Sequence, residues 1–496
     1  MSICTSNVTS GFIDLATFDE IEKYLYGGPD ATAYFVRETR KSTWFTQVPV
    51  VLSRSAGTPE FNQQFSFSIS RAGDYLIATW LRLSTPAVTL LSTNKYTALL
   101  GANAGTLRWT RNFMHNIISE CCITFNDLVA ARFDNYHLDF WTAFTVPAGK
   151  RNGYNNMIGN FDDMTGPHGV GDTIPSFTLN LPLPFFYSRD SGVALPTAAL
   201  PYNEMRIQFS FRNWSDLLIL ENGGNPGLTD TRVVPVVGAT ADIASTPVLG
   251  TTNVWANYAI VSNDERKRMA CAPRDILIEQ VQTAPRQTFA PATNSTPQYD
   301  IRFSHAIKVL FFAVRNTTSG LEWSNYTSAS PLPGLNAVNF APSGATDPIL
   351  QTSLVYENTN RLGQMGSDYF SLVNPYYHAP VIPLETGYHM YSYSLDFICL
   401  DPMGSTNYGK LTNVSMNPEA SAGAALGAAG GQAFATGQAF RQTFEYIVTC
   451  VNNNIIRCSG GALGQKGRPE TVGCSRRCDI SSVGKQCKMS PCAAAA

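Results

Sequence analysis

From its N-terminus the chain first shows helical spacing and then changes period. Thr17-Phe18-Asp19-Glu20 has the form of a capping box, in which a hydroxyl and a carboxylate satisfy the free amides of a first turn. Ile21, Tyr24 and Leu25 follow at i, i+3 and i+4, and Gly27-Gly28-Pro29 stops the run. The spacing predicts a short amphipathic helix that precedes the rest of the sequence as an arm. From Ala31 onward the period falls to two. Phe61, Phe65, Phe67 and Ile69 alternate with polar residues as a half-buried strand requires, and Tyr75–Leu83 reads as a second strand after the turn Ala72-Gly73-Asp74. Ile117–Phe125, the pair Asn126-Asp127 and Leu128–Phe133 predict a hairpin. Tyr136, Phe140 and Phe144, at i, i+4 and i+8, predict a helix directly after it. Short strands broken by Gly and Pro every ten or so residues point to a sandwich or barrel.

The order of elements then repeats. Ser262-Asn263-Asp264-Glu265 is a second capping box, opening the basic stretch Arg266-Lys267-Arg268-Met269, and strand-like sequence restarts at Asp275-Ile276-Leu277-Ile278. The first-half hairpin and aromatic helix are matched by Leu354–Asn358, then Asp368-Tyr369-Phe370 and Asn374-Pro375. Met205–Phe211, a Gly/Pro/Thr-rich loop and Ala256–Val261 are matched by Lys410–Met416, the Ala/Gly-rich stretch Ser421–Gly437 and Phe444–Val448. Two similar all-β units in tandem account for this. The Ala/Gly stretch reads as an exposed loop or as packing between subunits.

Composition sharpens the picture. Of 496 residues 44% are hydrophobic, enough for sizeable cores, but only 15% are charged, against roughly 25% in an ordinary soluble protein. A charge-poor chain of this size is expected to cover much of its surface with other subunits. Lys and Arg number 35 against 37 Asp and Glu, so the electrostatic footprint of a genome-binding protein is missing. No signal-peptide pattern opens the chain, and the longest apolar stretches, such as Val309–Val314, fall far short of the ~20 residues of a membrane-spanning helix. Six Asn-x-Ser/Thr triplets, at Asn7, Asn213, Asn294, Asn316, Asn325 and Asn413, read as products of composition. Of eleven cysteines, Cys4, Cys121, Cys122, Cys271, Cys399 and Cys450 read as small buried hydrophobes in a reducing compartment, whereas Cys458, Cys474, Cys478, Cys487 and Cys492 crowd the last 39 residues.

A search for chemistry finds none. The histidines, His115, His137, His168, His305, His378 and His389, have no metal-ligand spacing, which argues against a cupin-type metalloenzyme. Arg189-Asp190-Ser191-Gly192 lacks the first Gly of a nucleophile elbow, and Gly404–Gly409 is neither a phosphate-binding loop nor a dinucleotide fingerprint. Asp162-Asp163 and Asp19-Glu20 are adjacent acids, which a strand would point to opposite faces. No catalytic, cofactor-binding or metal-binding residue is expected, and the chain reads as no enzyme.

Several stretches carry a family resemblance. Leu181-Pro182-Leu183-Pro184-Phe185-Phe186-Tyr187-Ser188-Arg189-Asp190-Ser191-Gly192-Val193-Ala194-Leu195-Pro196, continuing into Leu200–Ile207, resembles the signature of the major capsid proteins of large icosahedral DNA viruses, in its iridovirus form. Asp401–Gly409 resembles the family's second signature, and Ser10–Asp14, Asn112–Asn116 and Arg302–Ala306 match as well. The resemblance covers residues 7–464. It implies two tandem eight-stranded antiparallel jelly rolls, three chains in a trimer of pseudo-sixfold outline, and tiling of an icosahedral shell with neighbouring capsomers. It also implies a virion protein assembled in the host cytoplasm, whose arm lies at the capsomer base against minor capsid proteins or the inner viral membrane. The resulting division is an arm over 1–30, jelly rolls over 31–262 and 273–464 and a helical connector over 263–272, with an atypical tail over 465–496. In the signature, the prolines at 182, 184, 196 and 201 are expected to end strands. Arg189-Asp190 is either an ion pair fixing the corner, the preferred reading, or two exposed charges. The tail departs from the family: it is polar, basic and Cys-rich, and the irregular spacing of Cys474, Cys478, Cys487 and Cys492 makes zinc a minor reading beside an altered frame. The alternative function is a β-sandwich protein that binds a receptor or glycan.

Overall fold

The computed structural model describes residues 3–29, 33, 42–100, 104–221, 232–271, 274–292, 295–328, 347–429, 432–433, 439–459 and 462–465. The chain divides into two units, Met1–Trp44 and Phe45–Ala496. The first contains helices Ile3–Ala16 and Glu20–Tyr26. The predicted second helix is present, but its capping box sits two residues later than the sequence pattern suggested. Asp19 is the N-cap, and its N–H donates to the carboxylate of Glu22 at 3.3 Å. Thr17 is used otherwise: its hydroxyl donates to the Asp14 carbonyl at 2.6 Å, just past the end of the first helix, an element the period did not reveal.

In the second unit the eight principal strands of the first half are β1 (Phe45–Val51), β2 (Gln64–Ser68), β3 (Tyr75–Ser84), β4 (Ile118–Phe125), β5 (Leu128–Phe133), β6 (Thr178–Pro182), β7 (Met205–Phe211) and β8 (Thr252–Val261). Those of the second half are β9 (Arg274–Thr283), β10 (Tyr299–Asp300), β11 (Ala306–Asn316), β12 (Ile349–Tyr356), β13 (Thr359–Gly366), β14 (His389–Ser392), β15 (Val414–Ala420) and β16 (Phe444–Ser459). The sheets run β1-β8-β3-β6 and β2-β7-β4-β5 in the first half, and β9-β16-β11-β14 and β10-β15-β12-β13 in the second. Counted within each half, both orders are 1-8-3-6 and 2-7-4-5, and every one of these pairings is antiparallel. This is the double jelly roll, with short helices in the connections.

The repeated hairpins show how local chemistry enforces the repeat. Phe125 pairs with Leu128 and Tyr356 with Thr359, leaving two-residue loops. Both loops need positive φ at both positions, as the tightest hairpin turns do. Asn126 and Asp127 adopt 48° and 65°, and Glu357 and Asn358 adopt 45° and 63°. Glu357 is an unusual residue for such a turn. Its carboxylate accepts from the Thr412 hydroxyl at 2.6 Å and from the backbone N–H of Asn413 and Thr412 at 3.1 and 2.6 Å, and these bonds hold its acid below the usual range.

Two sequence readings are corrected. The strand foreseen over Lys410–Met416 begins at Val414, because Tyr408–Lys410 forms a 3-10 turn in which the Asn407 side chain accepts from Gly409 N–H at 3.0 Å. The Ala/Gly stretch is not simply an exposed loop: Ala422–Ala429 is an α-helix with Ala424, Ala425 and Gly427 buried. Alanine is the strongest helix former, and Ser421 supplies the start, accepting on its hydroxyl from Ala424 N–H at 3.3 Å. Residues 430–431 and 434–437 of the stretch lie outside the described residues.

Each half has a core, and that of the first half also takes in Ile276, Ile278 and Ile456 of the second. Leu76, Leu81, Leu83, Ile123, Leu181, Ile207 and Val254 lie in the first, and Leu310, Phe312, Val314, Phe370, Tyr446 and Val448 in the second. A third cluster belongs to both halves. Helix Asn135–Thr145, inserted between β5 and β6, sets Tyr136, Phe140, Trp141 and Phe144 against Val309, Phe311 and Ala313 of β11 and Ile447 of β16. Strand β11 is therefore buried on both faces, which is why Val309–Val314 is an unbroken apolar run.

Candidate functional site

The histidines occupy unrelated settings. His115 Nδ1 lies 2.7 Å from Asp139 and its Nε2 2.7 Å from the Tyr154 hydroxyl. His389 meets Asp347 at 2.9 Å, His168 meets Asp172 at 2.8 Å, and His378 meets the Leu395 carbonyl at 2.9 Å. His305 has φ +67°, and its carbonyl accepts from Tyr408 N–H. His137 is wholly buried without a hydrogen-bond partner on either ring nitrogen. Burial, and then the nearby Arg189 charge, push its pKa down to about 3. The pairs His115–Asp139 and His389–Asp347 join residues tens of positions apart, so no spacing rule would find them, whereas His168 and Asp172 are four apart. Ser324 completes a Ser/His/Asp set in composition only: its hydroxyl donates to Asp139 at 2.8 Å, so the pairing needed to activate a nucleophile is not made. Among the described residues no group of three or more His, Cys, Asp or Glu side chains is placed to hold a metal. The tail cysteines at 474, 478, 487 and 492 lie outside the described residues. Cys458 belongs to β16 and is buried, not part of the tail, and Cys399 is half-buried, whereas Cys121, Cys122 and Cys450 are buried as expected. Asn316 and Asn325 are buried too, which removes two of the six glycan triplets from access.

The densest polar arrangement lies between the halves. A cleft of about 580 Å³ is lined by Arg108, Arg111, His115, Asp139, Glu221, Glu322 and Glu385. Arg108 bridges Glu221 of its own half, at 2.6 Å, to Glu322 of the other. Arg111 pairs with Glu385 across the same boundary. Asp139, on the inserted helix, accepts from Ser324 and from the Tyr326 hydroxyl at 2.9 Å, both in the second half. The matching stretch Asn112–Asn116 acquires a physical role here. Left-handed Asn112, at φ 50°, starts a buried turn that presents Asn112 and His115 to Asp139, and Asn116 donates to Ser324 at 2.9 Å. The guanidiniums of Arg212 and Arg315, one from each half, both lie over the Trp323 ring, at 3.9 and 4.2 Å. These charged groups engage one another, and the arrangement joins the two jelly rolls.

The long signature feeds the same junction. Pro182 ends β6, and three successive 3-10 turns follow. Phe185, Phe186 and Tyr187 are buried, and Tyr187 OH meets Thr79 Oγ1 at 2.7 Å. Arg189 does not pair with Asp190, which is exposed. It reaches Glu279 of β9 at 3.1 Å and stacks on Trp141 at 3.5 Å. Glu279 also holds Lys308 of β11 at 2.7 Å, and Lys308 donates in addition to the Cys399 carbonyl. The corner is fixed by a charge from the other half, because a buried guanidinium needs a counter-charge to compensate the lost water and Glu279 supplies it. In the second signature, Gly404 has φ +116° and sits where a Cβ would meet the Tyr393 carbonyl at 2.7 Å, and Tyr408 joins Tyr356 and Tyr393 in a cluster of hydroxyls.

Apolar side chains remain outside. In β1, an edge strand paired only with β8, Phe45, Val48 and Val51 are exposed. Tyr376, Tyr377, Leu384 and Leu395 are exposed in the second half. In the N-terminal unit, Phe12, Ile13, Leu15, Ile21, Tyr24 and Leu25 are all exposed. No helix among the described residues is long and apolar enough to cross a membrane.

Comparison with known proteins agrees with this architecture. Residues 33–261 match a family described as major capsid protein N-terminus, and residues 265–464 match one described as large eukaryotic DNA virus major capsid protein. The chain is 65% identical over 467 residues to the major capsid protein of Costelytra zealandica iridescent virus and 66% over 470 to that of Invertebrate iridescent virus 6, covering 94% of this chain and 99% of each relative. It is 46% identical over 470 residues to that of Frog virus 3, covering 93% of this chain and 99% of the relative. In fold it matches a quasi-atomic model of the PBCV-1 virus capsid, with TM-score 0.66 at 19% identity over 88% of this chain and all of the other. It also matches the Faustovirus major capsid protein, with TM-score 0.62 at 11% identity over 89% and 94%. The chain is thus a structural protein of the virion capsid, and it belongs to the major capsid protein family of the iridescent viruses.

Proposed function

We propose that this capsid protein self-assembles into homotrimeric capsomers of pseudo-hexagonal outline that tile an icosahedral shell. The observation that carries this is the repeated 1-8-3-6 and 2-7-4-5 order in one chain, with the halves joined by a buried junction. Two similar corners per subunit and three subunits give six similar corners, and a closed threefold gives every chain the same two neighbours. The domains proposed for this role are the jelly rolls over 31–262 and 273–464, the connector over 263–272, the arm over 1–30 and the tail over 465–496. The exposed apolar side chains of the arm suit a contact at the capsomer base with minor capsid proteins or the inner viral membrane. A single short helix binds weakly, and repetition over many capsomers supplies avidity. A net charge of −2 gives no reason to expect direct genome binding, and assembly takes place in the host cytoplasm. The role needs no cofactor and no catalytic residue. The test is native mass measurement on the purified full chain: a species of three times 54.1 kDa is expected, and a stable monomer at micromolar concentration contradicts the proposal.

A further inference from the structure

The helix-on-sheet contact between the halves runs in one direction. The insertion between β5 and β6 sends helix Asn135–Thr145 onto the outer face of the β9-β16-β11-β14 sheet. The second half places the same two parts at the same topological positions: a helical segment, Tyr369–His378, between β13 and β14, and in the first half the corresponding outer face of β1-β8-β3-β6. Neither part is covered as its counterpart is. Tyr376 and Tyr377 are 70% and 72% exposed, with their rings edge to face at 5.2 Å. On the sheet, Val51 of β1 pairs with Trp255 of β8, which pairs with Trp80 of β3, forming one cross-strand row. The two indoles stack at 6.1 Å, only partly covered, and Val51 is 43% exposed beside them.

A contact made by two different surfaces, with one copy of each left open after a single use, is heterologous. It repeats from chain to chain until a ring closes. We infer that the Tyr376–Tyr377 segment of one copy seats on the Trp80–Trp255 face of the next, reproducing between chains the contact that Asn135–Thr145 makes within one. The occupant is a second copy of this chain, because the element at the same topological position in the first half already covers the equivalent sheet face once. Tyrosine and tryptophan are the side chains that interfaces favour, combining large apolar area with a polar tip. The inference rests on the trimer reading and names the surfaces that close the ring.

The test combines native mass with hydroxyl-radical labelling of the full chain, using Tyr377→Arg and Val51→Arg. Both side chains are exposed, so both variants are expected to fold and to keep the wild-type far-ultraviolet circular dichroism spectrum. Each is expected to raise the concentration for half-assembly by roughly ten- to a hundredfold. Trp80, Trp255, Tyr376 and Tyr377 are all expected to be less labelled in wild-type trimers than in the dissociated variant. Wild-type trimers that label these rings as the variant does, and that survive both substitutions, overturn the inference and leave the trimer standing. Protection of the tryptophans without the tyrosines also overturns it, since another segment then covers the sheet. A monomeric wild type removes both readings.

Discussion

Glu279 carries the charge balance of the junction, with Arg189 at 3.1 Å on one oxygen and Lys308 at 2.7 Å on the other. Lys308 is fully buried, so removing its counter-charge is far costlier than breaking a surface pair. Glu279→Gln is expected to destabilise the chain by about 3–5 kcal/mol, read as a lowered unfolding midpoint. Adding Lys308→Met is expected to recover part of that loss. A double variant as unstable as the sum of separate losses argues against the shared network. His137 sets a pH dependence of determinate sign. Its folded pKa, about 3, lies below the ~6.5 of an unfolded histidine, so between these values the unfolded chain binds the extra proton. The histidine's contribution is therefore complete above about pH 6.5 and declines as the pH falls toward 3. His137 packs between Phe133 and Trp141, and His137→Phe is expected to flatten the stability profile over that window, measured by denaturant titration at several pH values. An unchanged slope assigns acid sensitivity elsewhere.

At the scale of elements, the inserted helix is the hinge of the account. Trp141 and Phe144 meet Phe311 across the junction, at ring distances of 6.5 and 5.4 Å. Trp141→Ala and Phe311→Ala should each cost about 3–5 kcal/mol. Because the rings touch, the double variant should depart from additivity by roughly 0.5–3 kcal/mol. Additive losses would place the two side chains in separate cores. Much at this scale was legible in the sequence. The aromatic spacing 136, 140, 144 announced the helix, and Asn126-Asp127 announced its hairpin. What escaped was everything set by contact rather than by neighbours in the chain. Arg189 could not be matched to Glu279, ninety positions away, and the adjacent Asp190 was the natural wrong partner. The buried Asp139 hub draws on residues 112, 115, 324 and 326, which no local pattern connects. The helix Ala422–Ala429 was hidden by glycines whose cost tertiary packing offsets, Gly427 lying against Gln442 where a Cβ would clash.

For the whole molecule, charge poverty, duplicated topology and the one-directional helix-on-sheet contact of the halves have a common explanation in a subunit made to meet copies of itself. The family matches end at residue 464, so assembly is expected not to need the residues beyond it. Deleting Gln465–Ala496 should leave the native mass of the oligomer unchanged apart from the lost residues, and dissociation on deletion would give the tail a role in assembly. The most direct measurement of the central claim is electron microscopy of the purified full chain. Blocks of hexagonal outline, threefold when averaged and showing two β-sandwiches per subunit, are the result expected. Particles of single chains, or rings without the sixfold-like outline, would contradict it.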